Sequence, residues 1–187
     1  ALWLDRPDQF IRSFDLDFTA VELLELTTTL NLLHTARAPY LEQSVRGGTQ
    51  TDGNLFLRHE PAIQLVRAKC LGAVRKYIDA LPAPEPDHPL LGRQRDRIGF
   101  EGSWSVRLAS QGFHSVHTHA RGWISSALYV DLPPPGAMGT PPSGWIEFGA
   151  PPPELGLELA PYSSVEPAPA RPAAASRMSS ATSRDRT

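Results

Sequence analysis

The chain has 187 residues, 41% of them hydrophobic and 20% charged, with a formal net charge of −2 and a pI near 6.3. That is room for one domain, or a domain with a short helical preface, and enough apolar material for a packed core. The near-neutral charge removes the electrostatic basis for general binding to nucleic acid or an anionic membrane, and the one cysteine, Cys70, excludes an intrachain disulfide.

A lone cysteine fits a reducing compartment. No basic segment followed by an apolar run opens the chain, and no apolar run approaches the ~18–20 residues of a membrane span. The cytoplasm is the expected location. The sequence starts at Ala1 rather than Met, as expected of a processed chain or one cut from something longer.

In chain order, residues 19–36 carry Val21, Leu23, Leu24, Leu30, Leu32 and Leu33 behind Thr19, a suitable N-cap. A helix is predicted there, weakened by the β-branched run Thr27–Thr29. His34 is read as a helix-end residue rather than a ligand. Residues 1–36 form the predicted helical preface, which is also consistent with the last helix of a preceding repeat array.

Residues 37–60 read as loop and short strand, with turn signals at Gly47-Gly48 and Asp52-Gly53. Arg46, Gly47, Gly48 and Thr49 are read as a tight turn; no Lys-Ser/Thr follows, so a phosphate cradle is not expected. A second helix is predicted over 61–81. Pro61 suits its first turn, and Ile63, Val66, Cys70, Val74, Tyr77, Ile78 and Leu81 recur at helical spacing. Cys70 on that stripe is read as core rather than nucleophile. Pro82, Pro84 and Pro86 stop the helix.

From Ile98 the pattern changes to short strands. Trp104, Val106 and Leu108 alternate with Ser103, Ser105 and Arg107; WISSALYV follows at 123–130, then a Pro/Gly loop over 132–144, then Trp145 to Phe148. Short strands punctuated by Gly and Pro indicate a sandwich or barrel. Trp104, Trp123 and Trp145 are expected on sheet faces or in the core.

Between these strands lies GFHSVHTHARGWISSALYV, residues 112–130, with His114, His117 and His119 inside six residues. In an extended strand, side chains two apart share a face, so His117 and His119 converge and His114 falls out of phase. Neutral imidazole is the commonest side-chain metal ligand. The pair is read either as two cis ligands of one ion or as two solvated histidines at a strand edge.

The blocks LEQSVRGGTQTDGNLF (41–56), DHPLL (87–91), GSWSVRL (102–108), GFHSVHTHARGWISSALYVDLP (112–133) and GWIEFGAP (144–151), in that order and spacing, resemble a bacterial family of 2-oxoglutarate/Fe(II) oxygenases. Members of that family often carry the oxygenase domain behind tetratricopeptide-type helical repeats. The resemblance covers residues 37–167. It implies a mainly β fold with a helical preface, a double-stranded β-helix (jelly roll), a mononuclear iron, and 2-oxoglutarate as co-substrate.

Such an oxygenase holds Fe(II) by three protein groups on one octahedral face, usually two histidines and a carboxylate, leaving the other positions for 2-oxoglutarate and oxygen. The resemblance puts His117 in the first-ligand position and His119 where many related oxygenases have Asp or Glu. His119 then either binds iron directly or orients the groups that do. Arg107, a family-matching basic residue, either helps hold the acidic co-substrate or makes a structural ion pair. Tyr129 either donates its hydroxyl to 2-oxoglutarate or bonds a local partner. Asp52, Asn54 and Glu147 are candidate replacement carboxylate or amide ligands, with no spacing argument for any of them. No catalytic acid or base is assigned.

In the family a later block supplies a distal histidine, which completes the iron site, and an arginine for paired hydrogen bonds to the distal carboxylate of 2-oxoglutarate. Here, after Val165-Glu166-Pro167, the chain reads APARPAAASRMSSATSRDRT, with no histidine or aromatic residue. Residues 168–187 have the composition of a disordered tail, and the abrupt change suggests a shifted reading frame in a GC-rich gene. The jelly roll is therefore expected to be incomplete at its C-terminal end, with exposed strand edges and marginal stability. Three readings stay open: an oxygenase domain impaired in this form, acting on an unknown small molecule or protein side chain; a cupin-like metal-binding jelly roll; and an interaction module.

Overall fold

A run of apolar residues at helical spacing organises the molecule, which is described by a computed structural model over residues 3–4, 6–36, 44–119, 121–134, 136–151, 153–168 and 177–181. Helix α1 (Pro7–Phe10), strand β1 (Arg12–Asp15) and helix α2 (Ala20–Leu33) lead into strand β2 (Val45–Gln50) and helix α3 (Pro61–Asp79). Strands β3 (Val106–His114), β4 (Ser125–Leu128), β5 (Ile146–Phe148), β6 (Ser163–Val165) and β7 (Arg177–Ala181) follow, with single 3-10 turns at Leu55–Leu57 and Pro153–Leu155.

Helix α3 starts on Pro61, whose missing N–H is no loss in a first turn. Its predicted stripe, Ile63, Val66, Cys70, Val74, Tyr77 and Ile78, is buried along its whole length, and Leu81 just beyond the helix joins it. The Tyr77 hydroxyl donates to the Phe10 carbonyl at 2.9 Å, so a buried phenol is satisfied while it holds α1 against α3. Cys70 lies among these side chains, and burial pushes its thiol up to about 11.

Helix α2 begins with a capping box. The Thr19 hydroxyl accepts from the Glu22 amide, and the Glu22 carboxylate accepts from the Thr19 amide at 2.8 Å. These bonds hold the half-buried Glu22 carboxyl below its ordinary range. Lys69 of α3 donates to the Asp17 carbonyl at 2.9 Å and lies 3.5 Å from the Glu22 carboxylate, joining the two helices where α2 starts. Leu26 and Leu30 are buried, whereas Val21, Leu24 and Leu32 on the other side of α2 are exposed.

The DHPLL block forms a knot between the N-terminal segment and the turns after α3. His88 is only 2% exposed. Its Nδ1 accepts from the amides of Leu90 and Leu91, and its Nε2 donates to the Trp3 carbonyl at 2.9 Å. Trp3 and Phe10 pack edge-on against its ring. Both ring nitrogens are thus committed to the backbone.

The strands fall into three small antiparallel sheets, ordered β1-β7-β4, β2-β3 and β5-β6. Among the described residues these three sheets do not make a clear jelly roll. The expected mainly-β architecture is a mixture of helices and short antiparallel sheets, and α3 alone supplies eight of the 17 buried core residues among those described. The first 36 residues are helical only in part, since β1 lies between the two helices and joins a sheet with β7.

Five residues of the segment read from composition as disordered, Arg177–Ala181, form β7 between β1 and β4. A strand ladder is made of backbone groups, and two flanking strands offer donors and acceptors to whatever sequence lies between them. Residues 169–176 and 182–187 lie outside the described residues.

Candidate metal centre

Two glycines let the chain reach the histidine segment. Strand β3 runs antiparallel to β2, with Gln50 opposite Val106, Gly48 opposite Leu108 and Val45 opposite His114, and with the register shifting between Arg46 and Gly48. At that irregularity Gln111 has φ +61° and Gly47 φ +66°. A Cβ on Gly112 would collide with the Gly47 carbonyl oxygen, and one on Gly48 would sit 2.6 Å from the Arg107 oxygen. The RGG motif is therefore a bulged strand at close backbone approach, not the turn its two glycines suggest.

Strand β3 ends at His114, and residues 115–119 are irregular. The alternation argument thus fails for His117 and His119, which are not on a strand, and so does its corollary that His114 faces away. The three rings cluster. His114 and His117 have ring centres 5.6 Å apart, with their planes tilted by 33°; His117 and His119 are 4.9 Å apart and perpendicular. Trp104 packs against His119 with centres 5.5 Å apart.

Ser44 and Ser115 hold the segment in place. The Ser115 amide and hydroxyl both donate to the Ser44 carbonyl, and the Ser44 hydroxyl bonds His114 Nδ1 at 3.0 Å. His117 Nδ1 lies 2.7 Å from the Ser115 carbonyl. A carbonyl only accepts, so Nδ1 carries the proton and Nε2 keeps the lone pair, the arrangement of a metal-ready imidazole. Partial desolvation, then the neighbouring His117 and His119, lower the pKa of His114; partial desolvation, then His117, lower that of His119. Both shifts favour the neutral ring, the form that binds metals.

Two imidazoles bound at ~2.1 Å to one ion, roughly 90–110° apart, have ring centres about 4.5–5.3 Å apart. The 4.9 Å spacing of His117 and His119 falls inside that range. Among the described residues, no group of three His, Cys, Asp or Glu side chains is already assembled around a point that would hold an ion.

Of the residues expected to meet 2-oxoglutarate, Arg107 lies opposite Thr49 in the ladder and donates to Asn31 Oδ1 at 3.4 Å, beside the last turn of α2. A cation there also favours the helix C-terminus. The Tyr129 hydroxyl makes a long bond, 3.5 Å, to the Gly144 carbonyl, and burial raises its pKa. Of the candidate replacement ligands, Asn54 caps the 3-10 turn at Leu55–Leu57 by accepting from the Phe56 amide, and Glu147 lies opposite Ser164 on β5. Asp52 is exposed.

Sequence reasoning missed the role of His34. At the end of α2 it is buried, with Nδ1 2.9 Å from the Thr49 hydroxyl and Nε2 3.0 Å from that of Ser105, so it ties the helix to β2 and to the residue before β3. Burial, then the charge of Arg107, lower its pKa. Its partners lie 15 and 71 residues away, beyond any local pattern.

No curated protein and no solved structure matches the chain. Residues 102–171, the segment that carries Trp104, all three clustered histidines and Tyr129, match the family model described as "Putative 2OG-Fe(II) oxygenase", and the match supports the kinship that the motifs suggest.

Proposed function

We propose that the chain is a 2-oxoglutarate- and Fe(II)-dependent oxygenase domain of the hydroxylase type, with a jelly-roll ancestry and with His117 and His119 as iron-binding residues. The observation that carries this reading is the placement of a perpendicular imidazole pair, 4.9 Å apart, inside the segment that matches the oxygenase family model. A bound Fe(II) with 2-oxoglutarate would supply oxygen activation coupled to oxidative decarboxylation of the co-substrate. The chain's own part is to orient the two rings, with the His117 Nδ1–H directed at the Ser115 carbonyl. Trp104 shields one side of His119 from water.

Arg107 and Tyr129 are the proposed contacts for 2-oxoglutarate. Each would have to exchange its present bond, to Asn31 or to Gly144, for a carboxylate. Both bonds are long, so the exchange costs little. In this form turnover is expected to be impaired or absent, since residues 120–187 contain no histidine to act as the distal ligand. The substrate is a small molecule or a protein side chain.

The test is succinate release from 2-oxoglutarate with and without Fe(II), in the wild type and in the His117→Ala/His119→Ala double variant. Iron-dependent succinate that disappears in the variant is the expected result. A chain that binds iron through these histidines but releases no succinate would overturn the oxygenase reading and leave a cupin-like metal-binding domain. That second reading is favoured by one observation: Arg107 is bonded to Asn31 beside a helix.

A further inference from the structure

We infer that His114 is a third metal-binding imidazole, so that His114, His117 and His119 make a three-histidine site for a borderline divalent cation such as Fe(II), Co(II), Ni(II) or Zn(II). The inference rests on the reading of His117 and His119 as ligands and supplies the group their site lacks. The chain has six histidines. His34 has both ring nitrogens within bonding distance of buried or half-buried hydroxyls. His88 has both committed to backbone groups in the core. His59 lies just before α3, on the far side of the sequence from the cluster. Of these four, His114 is the one with a ring contact to the pair, made to His117 at 5.6 Å.

The backbone is what brings it there. Had β3 continued through residue 119, His114 would face away from the other two. The strand stops at His114, and the irregular segment from 115 folds His117 back beside it. The Ser44 hydroxyl, 3.0 Å from His114 Nδ1, can accept that nitrogen's proton, the tautomer that leaves Nε2 as the donor atom toward a metal, as in His117. A spacing of 5.6 Å is slightly wider than one shared ion requires, and His114 and His117 are both exposed, so rotation of their side chains closes the gap without moving the backbone. Imidazole donors suit the late first-row cations better than Mg(II) or Ca(II).

Co(II) titration of the full chain tests this, read by visible absorption and by paramagnetically shifted imidazole N–H proton signals. Three such signals are expected in the wild type and two in His114→Ala, with affinity at least ~10-fold weaker in the variant. A His59→Ala control should retain three. Two signals in the wild type, or His114→Ala binding within twofold of it while His117→Ala does not bind, would overturn the inference and leave the oxygenase reading standing. Three signals without succinate release would uphold the inference and remove the oxygenase reading. No binding of Co(II) at all would overturn both.

Discussion

His34 shows how one side chain couples packing to pH. Its ring bridges the Thr49 and Ser105 hydroxyls, and burial, then the Arg107 charge, hold its pKa below the ordinary 6.5. The unfolded chain therefore binds the proton more tightly than the folded one. Stability from this residue is complete above pH ~6.5, falls as pH drops below that value, and levels off once pH passes the folded-state pKa. His114 and His119 shift the same way, but they are more exposed and contribute less. Thermal unfolding followed from pH 7.5 to 5.5 should show a falling midpoint. His34→Gln should flatten that slope while lowering stability at pH 7.5 by about 1–2 kcal/mol, the cost of breaking a buried hydrogen-bonded bridge. An unchanged slope in the variant would contradict the assignment.

Among the elements, the β2–β3 ladder positions the histidines, and its weakest tolerance is at Gly112, where the Gly47 carbonyl leaves no space for a methyl group. Gly112→Ala should separate the strands two residues before His114, cost roughly 2 kcal/mol or more in stability, and weaken metal binding further than that loss explains. Urea unfolding combined with Co(II) affinity measures both; a variant as stable and as tight-binding as the wild type would show that the close approach is not needed.

The helices were legible in sequence because their signals are local: Thr19 and Glu22 three apart make the cap of α2, and the spacing from Ile63 to Ile78 makes the buried face of α3. The histidine cluster was legible as a group but not in its geometry. Alternation holds only while a strand lasts, and where β3 ends depends on Ser44 and Val45, some 70 residues earlier. The bulge at Gly47 was misread for the same reason, since its cause is the backbone of Gly112.

Across the whole molecule, a helical core supports three small sheets, and one of these depends on β7 to join β1 to β4. Composition gave no sign of that strand, because a ladder asks for backbone groups rather than apolar side chains. Removing residues 177–187 should leave β1 and β4 with unpaired edges, lower the unfolding midpoint and raise concentration-dependent association, measurable by light scattering. A truncated chain that stays monomeric with an unchanged midpoint would show that the strand contributes nothing in solution.

The Cys70 thiol, pushed up to about 11 and shut inside α3's packed face, is nearly unreactive while the chain is folded. As the one cysteine in the sequence, it makes the protein its own stopwatch. An alkylating reagent can modify it only in molecules whose helical core has opened, so the labelling rate at a fixed reagent concentration reports the population of opened molecules, with no engineered label and no denaturant.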